Sequence, residues 1–134
     1  MINILRITEG SVIGLHATLL LAKGLGQPIT TEAAAEELKV SAAHLSKVLQ
    51  HLGKAGILRS VRGPRGGYIL NRPLSEIRLR DILEAVEGPI KLSSCLRTSP
   101  SCGNDGCMLG NLLESVNSQV LQHFDKRLSE ICTQ

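Results

Sequence analysis

The chain has 134 residues and a net charge of +3, and 43% of its residues are hydrophobic although Tyr68 and Phe124 are its only aromatic residues. This length fits one domain with at most a small appendage, and the composition excludes a disordered, collagen-like or repetitive chain. The uncharged stretch near the N-terminus, residues 10–22, is shorter than the roughly 20 apolar residues that cross a membrane. We therefore expect a cytoplasmic, mainly α-helical protein that does not enter a membrane and whose core consists of aliphatic side chains.

Positive charge is concentrated in the middle of the sequence. Residues 39–80 contain nine Lys and Arg and one acid, a net charge of +8, whereas the rest of the chain has six bases and eleven acids, a net charge of −5. A solvated helix face usually mixes both signs, so a one-sided segment indicates a polyanionic partner such as DNA. Neutralising phosphates with Lys and Arg releases condensed counterions, which favours binding. A basic surface kept for solubility is the alternative interpretation.

The first half of the sequence predicts three helices. Apolar residues at helical spacing cover residues 4–22 and end at two glycines, and a second helix over Glu32–Leu38 follows a threonine N-cap. A third helix over Ser41–Leu52 has Ser41 as its N-cap and an apolar face formed by Leu45, Val48, Leu49 and Leu52. Two short helices joined by about three residues are typical of a helix-turn-helix.

A β-hairpin is predicted directly after these helices. Gly56–Val61 and Tyr68–Leu70 have strand character, and the residues between them, Arg62–Gly67, are only Gly, Pro and Arg. A two-stranded hairpin after a helix-turn-helix forms a winged helix. The glycines allow the backbone to approach a groove, and the guanidinium groups of Arg62 and Arg65 can enter it. A purely structural hairpin would not need arginine on both sides of its turn, so the hairpin favours DNA binding.

The C-terminal third predicts two more helices around an irregular loop. Leu74–Glu87 is amphipathic and ends before a Gly-Pro pair, Ser93–Gly106 is polar and irregular, and Met108–Ile131 has a long apolar stripe. A stripe of this length predicts either packing against the same domain or a dimer seam, and the pattern alone leaves both open.

Three of the four cysteines lie in the polar loop. Cys95, Cys102 and Cys107 follow the spacing C-x6-C-x4-C, and no apolar face surrounds them. In a cytoplasmic protein this arrangement indicates a metal site or a redox switch rather than a structural disulfide. Zinc sites usually contain a C-x2-C pair, whereas iron–sulfur clusters accept wider spacings. Cys132 stands beside Ile131 and is predicted to be a small core residue.

Together these features resemble the Rrf-two family of bacterial transcription regulators. The resemblance rests on Ser41–Leu52, the wing sequence Arg62–Tyr68, the segment Asp81–Gly88 and three cysteines before a long helix. It implies a homodimer that binds double-stranded operator DNA and holds an iron–sulfur cluster, 2Fe-2S or 4Fe-4S, near the partner's first helix. The expected organisation is a winged-helix DNA-binding domain over residues 1–88, a cysteine loop over 89–107 and a long C-terminal dimerisation helix with its tail over 108–134.

The resemblance also implies particular DNA contacts. It places base-reading residues in the third helix, which is expected to lie in the major groove, and Arg62 at the wing tip in the minor groove. The predicted DNA contacts are Ser41, Ala43, Ser46, Lys47, Arg59, Arg62 and Arg65. For Lys47, a phosphate contact without base recognition is the alternative.

The cluster ligands implied by the resemblance are Cys95, Cys102 and Cys107. Relatives usually have the spacing C-x5-C-x5-C, and some have a histidine three residues after the last cysteine, where this chain has Gly110. The fourth ligand is therefore expected from outside the loop. His16 stands at the position of a histidine ligand in a 2Fe-2S relative, and Glu9, a small molecule or water are the reserve candidates. A core histidine bonded to a backbone carbonyl is the alternative for His16.

The resulting hypothesis is a transcription regulator whose operator binding is controlled by a cluster that reports iron, nitric oxide or redox state. A cluster-free regulator that senses through thiols or zinc is the alternative, and a protein-interaction module is a third possibility. An enzyme with a nucleophilic cysteine is not expected. None of the four histidines lies near the cysteine loop in sequence, no substrate-binding motif is present, and an enzyme would leave the basic wing unexplained.

Overall fold

The computed structural model describes residues 7–92 and 107–132. Within these ranges the chain is mainly helical, with one antiparallel hairpin, which confirms the predicted fold class. A 3₁₀ turn at Leu74–Glu76 precedes the fourth helix. The elements in chain order are α1 (Glu9–Lys23), α2 (Thr31–Leu38), α3 (Ala42–Lys54), β1 (Leu58–Val61), β2 (Gly67–Leu70), α4 (Leu79–Glu87), α5 (Leu112–Phe124) and α6 (Leu128–Ile131).

Hydroxyl side chains begin the first three helices. Thr8, Thr30 and Ser41 are the N-caps of α1, α2 and α3, and each side-chain oxygen accepts a hydrogen bond from a backbone N–H in the first turn. Between α2 and α3, Lys39 adopts a left-handed conformation with φ of 58°, and its N–H donates to the last carbonyls of α2. The two helices of the helix-turn-helix are thus joined by the short turn that the sequence predicts.

The core lies between α1, α3 and α4 and under the hairpin. The predicted apolar face of α3 is buried, and Leu45 and Leu52 have no exposed surface. Ile57, Ile77 and Ile82 close the core from the neighbouring segments. We call residues 8–88 the head and residues 107–132 the arm.

Two predicted helices are interrupted, and both interruptions have the same cause. Ile77 lies between the 3₁₀ turn and α4 in an extended conformation, with φ of −111° and ψ of 126°. Its carbonyl accepts a hydrogen bond from the N–H of Leu128 at 2.8 Å, and the N–H of Leu79 donates to the carbonyl of Lys126 at 3.1 Å. Ile77 is completely buried and Leu128 almost completely buried at this pairing. The pairing interrupts both segments, although their apolar residues have helical spacing.

The prediction of one continuous helix over Met108–Ile131 is therefore wrong. The helix is divided into α5 and α6, and it begins at Leu112 because residues 108–111 form turns. Gly110 has a φ of 58°, a conformation that favours glycine. In the parts of the chain that the structure covers, none of the helices has both the length and the hydropathy needed to cross a bilayer.

Candidate nucleic-acid interface

The outer face of α3 carries the residues predicted to read bases. Ala43 and Lys47 are exposed, Ser46 is half-buried, and the opposite face of the helix is in the core. Ser41 is exposed, but its hydroxyl accepts a hydrogen bond from the N–H of His44 at 3.1 Å. The structure therefore gives Ser41 a capping role and leaves the other three side chains available on one surface.

Gln50 extends this surface by one helical turn. Its Nε2 donates a hydrogen bond to Oγ of Ser46 at 3.5 Å, and its side chain is exposed. Gln50 was not among the predicted DNA contacts, although its spacing of four residues from Ser46 places both on one face. An amide beside a hydroxyl offers donors and acceptors suited to base edges.

The wing is the predicted hairpin, and its geometry depends on glycine. β1 and β2 are antiparallel, with Val61 opposite Gly67. In the turn, the N–H of Gly66 donates to the carbonyl of Gly63 at 2.9 Å, and a Cβ on Gly66 would lie 2.3 Å from the carbonyl oxygen of Val61. No other residue fits at Gly66 without moving the turn.

The three wing arginines remain free to meet DNA. Arg59, Arg62 and Arg65 are exposed, and none of them forms an ion pair with an acid in the described residues. Guanidinium groups without an internal partner, held on a tight glycine turn, can insert into a groove or contact phosphates.

A contact that the sequence did not predict joins the wing to the helix-turn-helix. Tyr68 and Ile29 exchange two backbone hydrogen bonds, of 2.9 and 3.1 Å, and Ile29 directly precedes Thr30, the N-cap of α2. A Cβ on Gly67 would lie 2.4 Å from the carbonyl oxygen of Ile29. The wing is therefore fixed against the first helix of the motif by backbone contacts that leave no space for a side chain.

Two of the bases in residues 39–80 form ion pairs within the protein. Nε of Arg80 contacts Oε1 of Glu84 at 3.1 Å, and its Nη1 contacts Oδ1 of Asp125 at 3.2 Å. These hydrogen bonds, to Glu84 first and then to Asp125, raise the pKa of Arg80. Arg78 also approaches Asp125, at 3.8 Å. These two arginines serve the contact between head and arm, which leaves the α3 and wing bases as the candidate DNA surface.

Of the three predicted cluster ligands, Cys107 can be placed. Its thiol is exposed, and its Sγ accepts a hydrogen bond from the N–H of Leu109 at 3.4 Å. Cys95 and Cys102 lie outside the described residues, and within residues 7–92 and 107–132 no three metal-ligating side chains form a cluster. Cys132 is half-buried and packs against the core, in agreement with its predicted role.

His16 is exposed on α1, so the interpretation as a core histidine is wrong. Apolar neighbours in the sequence suggested burial, but the buried face of α1 passes through Ile13, Ala17 and Leu21 instead. His16 lies in a groove of about 360 Å³ between α1 and the end of α2. The groove is lined by Glu9, Val12, Ile13, His16, Glu37, Leu38 and Val40, so the two predicted candidates for a fourth ligand share it.

Comparison with known proteins agrees with this architecture. Residues 7–132 match the family model Rrf2, described as iron-dependent transcriptional regulator. YwgB of Bacillus subtilis is 31% identical over 113 residues, which cover 77% of this chain and 72% of YwgB. The structure of CymR, the global cysteine regulator of B. subtilis, has a TM-score of 0.77 at 26% identity and covers 97% of this chain and 98% of CymR.

The structure of T. potens IscR has a TM-score of 0.72 at 28% identity and covers 95% of this chain and 85% of IscR. The family model covers almost the entire chain, and the members that it describes are transcription regulators rather than enzymes. This chain therefore belongs to the Rrf2 family of transcription regulators.

Proposed function

We propose that the chain is a homodimeric, operator-binding regulator whose affinity for DNA is controlled by an iron–sulfur cluster held by Cys95, Cys102 and Cys107. The observation that carries this proposal is the exposed Cys107 thiol at the start of the arm, with a backbone N–H directed at its sulfur. Hydrogen bonds to ligating sulfurs are one of the ways in which proteins tune iron–sulfur clusters. The donor set of three thiols in a polar segment fits such a group. Binding to operator DNA places the protein in the cytoplasm.

In this proposal the head reads the operator. The exposed face of α3, with Ala43, Ser46 and Lys47, lies in the major groove, while Arg62 enters the minor groove with Arg65 beside it and Arg59 near the phosphates. The absence of internal ion pairs at the wing arginines, within the part of the chain that the structure describes, supports this arrangement. Ser41 contributes by holding the first turn of α3 in place.

The arm joins two copies. No residue of α5 is buried within the chain, and Leu112 is 52% exposed. Met108 and Leu109, just before α5, are exposed as well. A helix whose apolar side chains stay partly exposed in their own domain is stabilised by packing against a second copy.

The fourth cluster ligand is proposed to be His16, with Glu9 in reserve. Both side chains line the groove on α1 and are accessible to a neighbouring chain. A bound cluster would supply a redox-active group that reacts with oxygen or nitric oxide. A neutral imidazole ligand raises the reduction potential of such a site above that of an all-thiolate site and makes it pH-dependent.

The test is purification without oxygen, followed by measurement of iron and sulfide per chain and of the visible spectrum. The proposal predicts a coloured protein that contains iron and sulfide, loss of both in Cys107→Ser, and retention of both in Cys132→Ser. Cys132 is the matched control because its thiol packs against the core. A colourless protein without iron, prepared without oxygen, would contradict the proposal.

His16 is tested by the same measurements. We expect His16→Ala to shift the visible spectrum and shorten the lifetime of the cluster, while His51→Ala, another exposed histidine, leaves both unchanged. Circular dichroism of the cluster-free proteins provides the folding control. An unchanged spectrum and lifetime in His16→Ala would remove this residue from the ligand set.

A second candidate function is regulation by thiols without a cluster. It is favoured by the structural similarity to CymR, the global cysteine regulator of B. subtilis, which extends over 97% of this chain. In that case the exposed Cys107 would be the reactive group. Iron-free protein whose operator affinity responds to oxidants, and does not respond in Cys107→Ser, would establish this alternative.

A further inference from the structure

Head and arm meet at a small junction. The segments around Arg78 and Arg127 pair as an antiparallel bridge, with one hydrogen bond from Leu79 to Lys126 and another from Leu128 to Ile77. Leu128 is 5% exposed and is the one buried residue of the arm among those described. The arm is therefore fixed to the head near its C-terminal end.

Asp125 adds an ionic contact at this junction. Its Oδ1 lies 3.2 Å from Nη1 of Arg80 and 3.8 Å from Nη1 of Arg78. The bridge also places Arg78 opposite Arg127, an arrangement that is unfavourable for like charges without a neighbouring acid. Asp125 supplies negative charge on the Arg78 side of this pair, while the carboxylates of Asp81 and Glu130 accept hydrogen bonds from the backbone N–H groups of Arg78 and Arg127.

The charges at the junction are placed unfavourably for their own helices. Asp125 is the C-cap of α5, where the helix dipole disfavours an acid. Arg78 is the N-cap of α4 and Arg80 is in its first turn, where the dipole disfavours bases. The two helix ends nevertheless complement each other. The C-terminus of α5, which is the negative end of its dipole and carries Asp125, faces the N-terminus of α4, which is the positive end of its dipole and carries Arg78 and Arg80. The ion pairs thus stabilise the relative placement of the two helices rather than either helix alone.

The apolar residues of α5 are at most half-buried. The one buried residue of the arm among those described and the ion pairs of Asp125 all lie at the junction, so the junction is the strongest described constraint on the angle between α5 and the head. If α5 joins two copies, a change in this angle occurs in both copies and changes the distance between their two α3 helices. Dimeric regulators of this kind bind half-sites whose spacing is fixed by that distance.

We infer that Asp125 and Arg80 are spacing-determining residues, which set the direction of α5 relative to the head and thereby the operator half-site spacing that the dimer accepts. This inference rests on the proposed function, because it requires a dimer formed through the arm and binding to paired half-sites. The residues act by positioning and do not contact DNA.

The experiment measures binding to a series of DNA duplexes in which two identical half-sites are separated by a variable number of base pairs. We expect the parent to prefer one spacing. Asp125→Asn should lose about threefold to fivefold in affinity at that spacing, as an ion pair with partial exposure allows, and lose less at neighbouring spacings. Asp125→Glu, which keeps the carboxylate, should retain the preference of the parent. Glu114→Gln is the matched control, an equal change of charge at an exposed position of α5.

Two further readouts separate this inference from a general structural role and from the proposed function. Affinity for a single half-site and the sedimentation coefficient should be the same in Asp125→Asn and in the parent. An identical spacing profile in both proteins, or an equal loss on single half-sites, would overturn the role of the junction while leaving the dimeric regulator intact. A parent protein that sediments as a monomer without any spacing preference would instead contradict the proposed function.

Discussion

The head and the arm differ in where their apolar side chains lie. Of the fifteen buried hydrophobic residues in the described part of the chain, fourteen are in the head and Leu128 is the one in the arm. The exposed large hydrophobic residues show the opposite trend, because half of the eight are in the much shorter arm: Met108, Leu109, Leu112 and Ile131. The head buries its apolar side chains as an independently stable unit does, whereas the arm leaves apolar side chains exposed, which fits the proposed packing against a second copy.

The largest expected effect is in the core of the head. Leu52→Ala should lower the free energy of unfolding by about 2–5 kcal/mol, because Leu52 is completely buried and truncation leaves a cavity. Leu112→Ala should change the unfolding of the head by less than about 0.5 kcal/mol, because this side chain is half exposed within one chain. Urea unfolding at low protein concentration measures both. Equal losses in the two variants would remove the distinction between head and arm.

The attachment of the wing should be the next most sensitive feature. Gly67→Ala places a Cβ 2.4 Å from the carbonyl oxygen of Ile29 at a φ of 150°, so we expect a loss of stability of about 1–3 kcal/mol and weaker DNA binding. Gly53→Ala is the control, since a Cβ there meets nothing within 4 Å and alanine favours the helix. Thermal unfolding measures the difference. Equal stability of Gly67→Ala and Gly53→Ala would show that the wing is not held as described.

A substitution in the arm should change the dimer dissociation constant rather than the stability of the fold. Leu112→Ala should raise the dimer dissociation constant by about fivefold to thirtyfold, which corresponds to about 1–2 kcal/mol of lost apolar contact. Gln122→Ala, at an exposed polar position of the same helix, should leave it unchanged. Sedimentation equilibrium over a range of concentrations measures the constant. If both variants associate like the parent, the dimer does not use α5.

The smallest expected effect concerns single DNA contacts of the head. Arg62→Ala should weaken operator binding, most strongly where the flanks of the operator are rich in A·T pairs, and should reduce the slope of log affinity against log salt by about 1. Lys126→Ala, an exposed base in the arm, should change neither. Titrations at several salt concentrations measure the slope. Unchanged binding in Arg62→Ala at physiological salt would exclude the wing from the interface.

Local patterns predicted the head well. The capping hydroxyl of Ser41, the apolar face of α3 and the glycine turn of the wing are short-range features, and the structure forms each of them. The pairing of Ile29 with Tyr68 was not predicted, because it joins segments that are distant in sequence through backbone atoms alone. The same holds for the pairing that divides α5 from α6.

The candidate site was predicted less completely. The apolar neighbours of His16 favour the alternative of a core histidine, but the packing of α1 turns this side chain outwards into a groove, and its predicted role as a ligand stays a prediction. Arg78 and Arg80 were counted with the basic surface, although Asp125, 45 residues after Arg80, pairs with them. The net charge of a segment does not show which of its bases form ion pairs within the protein. Sequence alone therefore did not separate the bases proposed to contact DNA from those that contact the arm.

The central claim is tested most directly by the operator affinity of the same protein with and without its cluster. Protein purified without oxygen should contain iron and sulfide, and removal of the cluster should change the Kd for operator DNA by about tenfold or more, in line with typical coupling between sites. Cys107→Ser should show the affinity of the cluster-free protein under both conditions, and Cys132→Ser should behave like the parent. An identical Kd for the cluster-containing protein, the cluster-free protein and Cys107→Ser would contradict control by an iron–sulfur cluster.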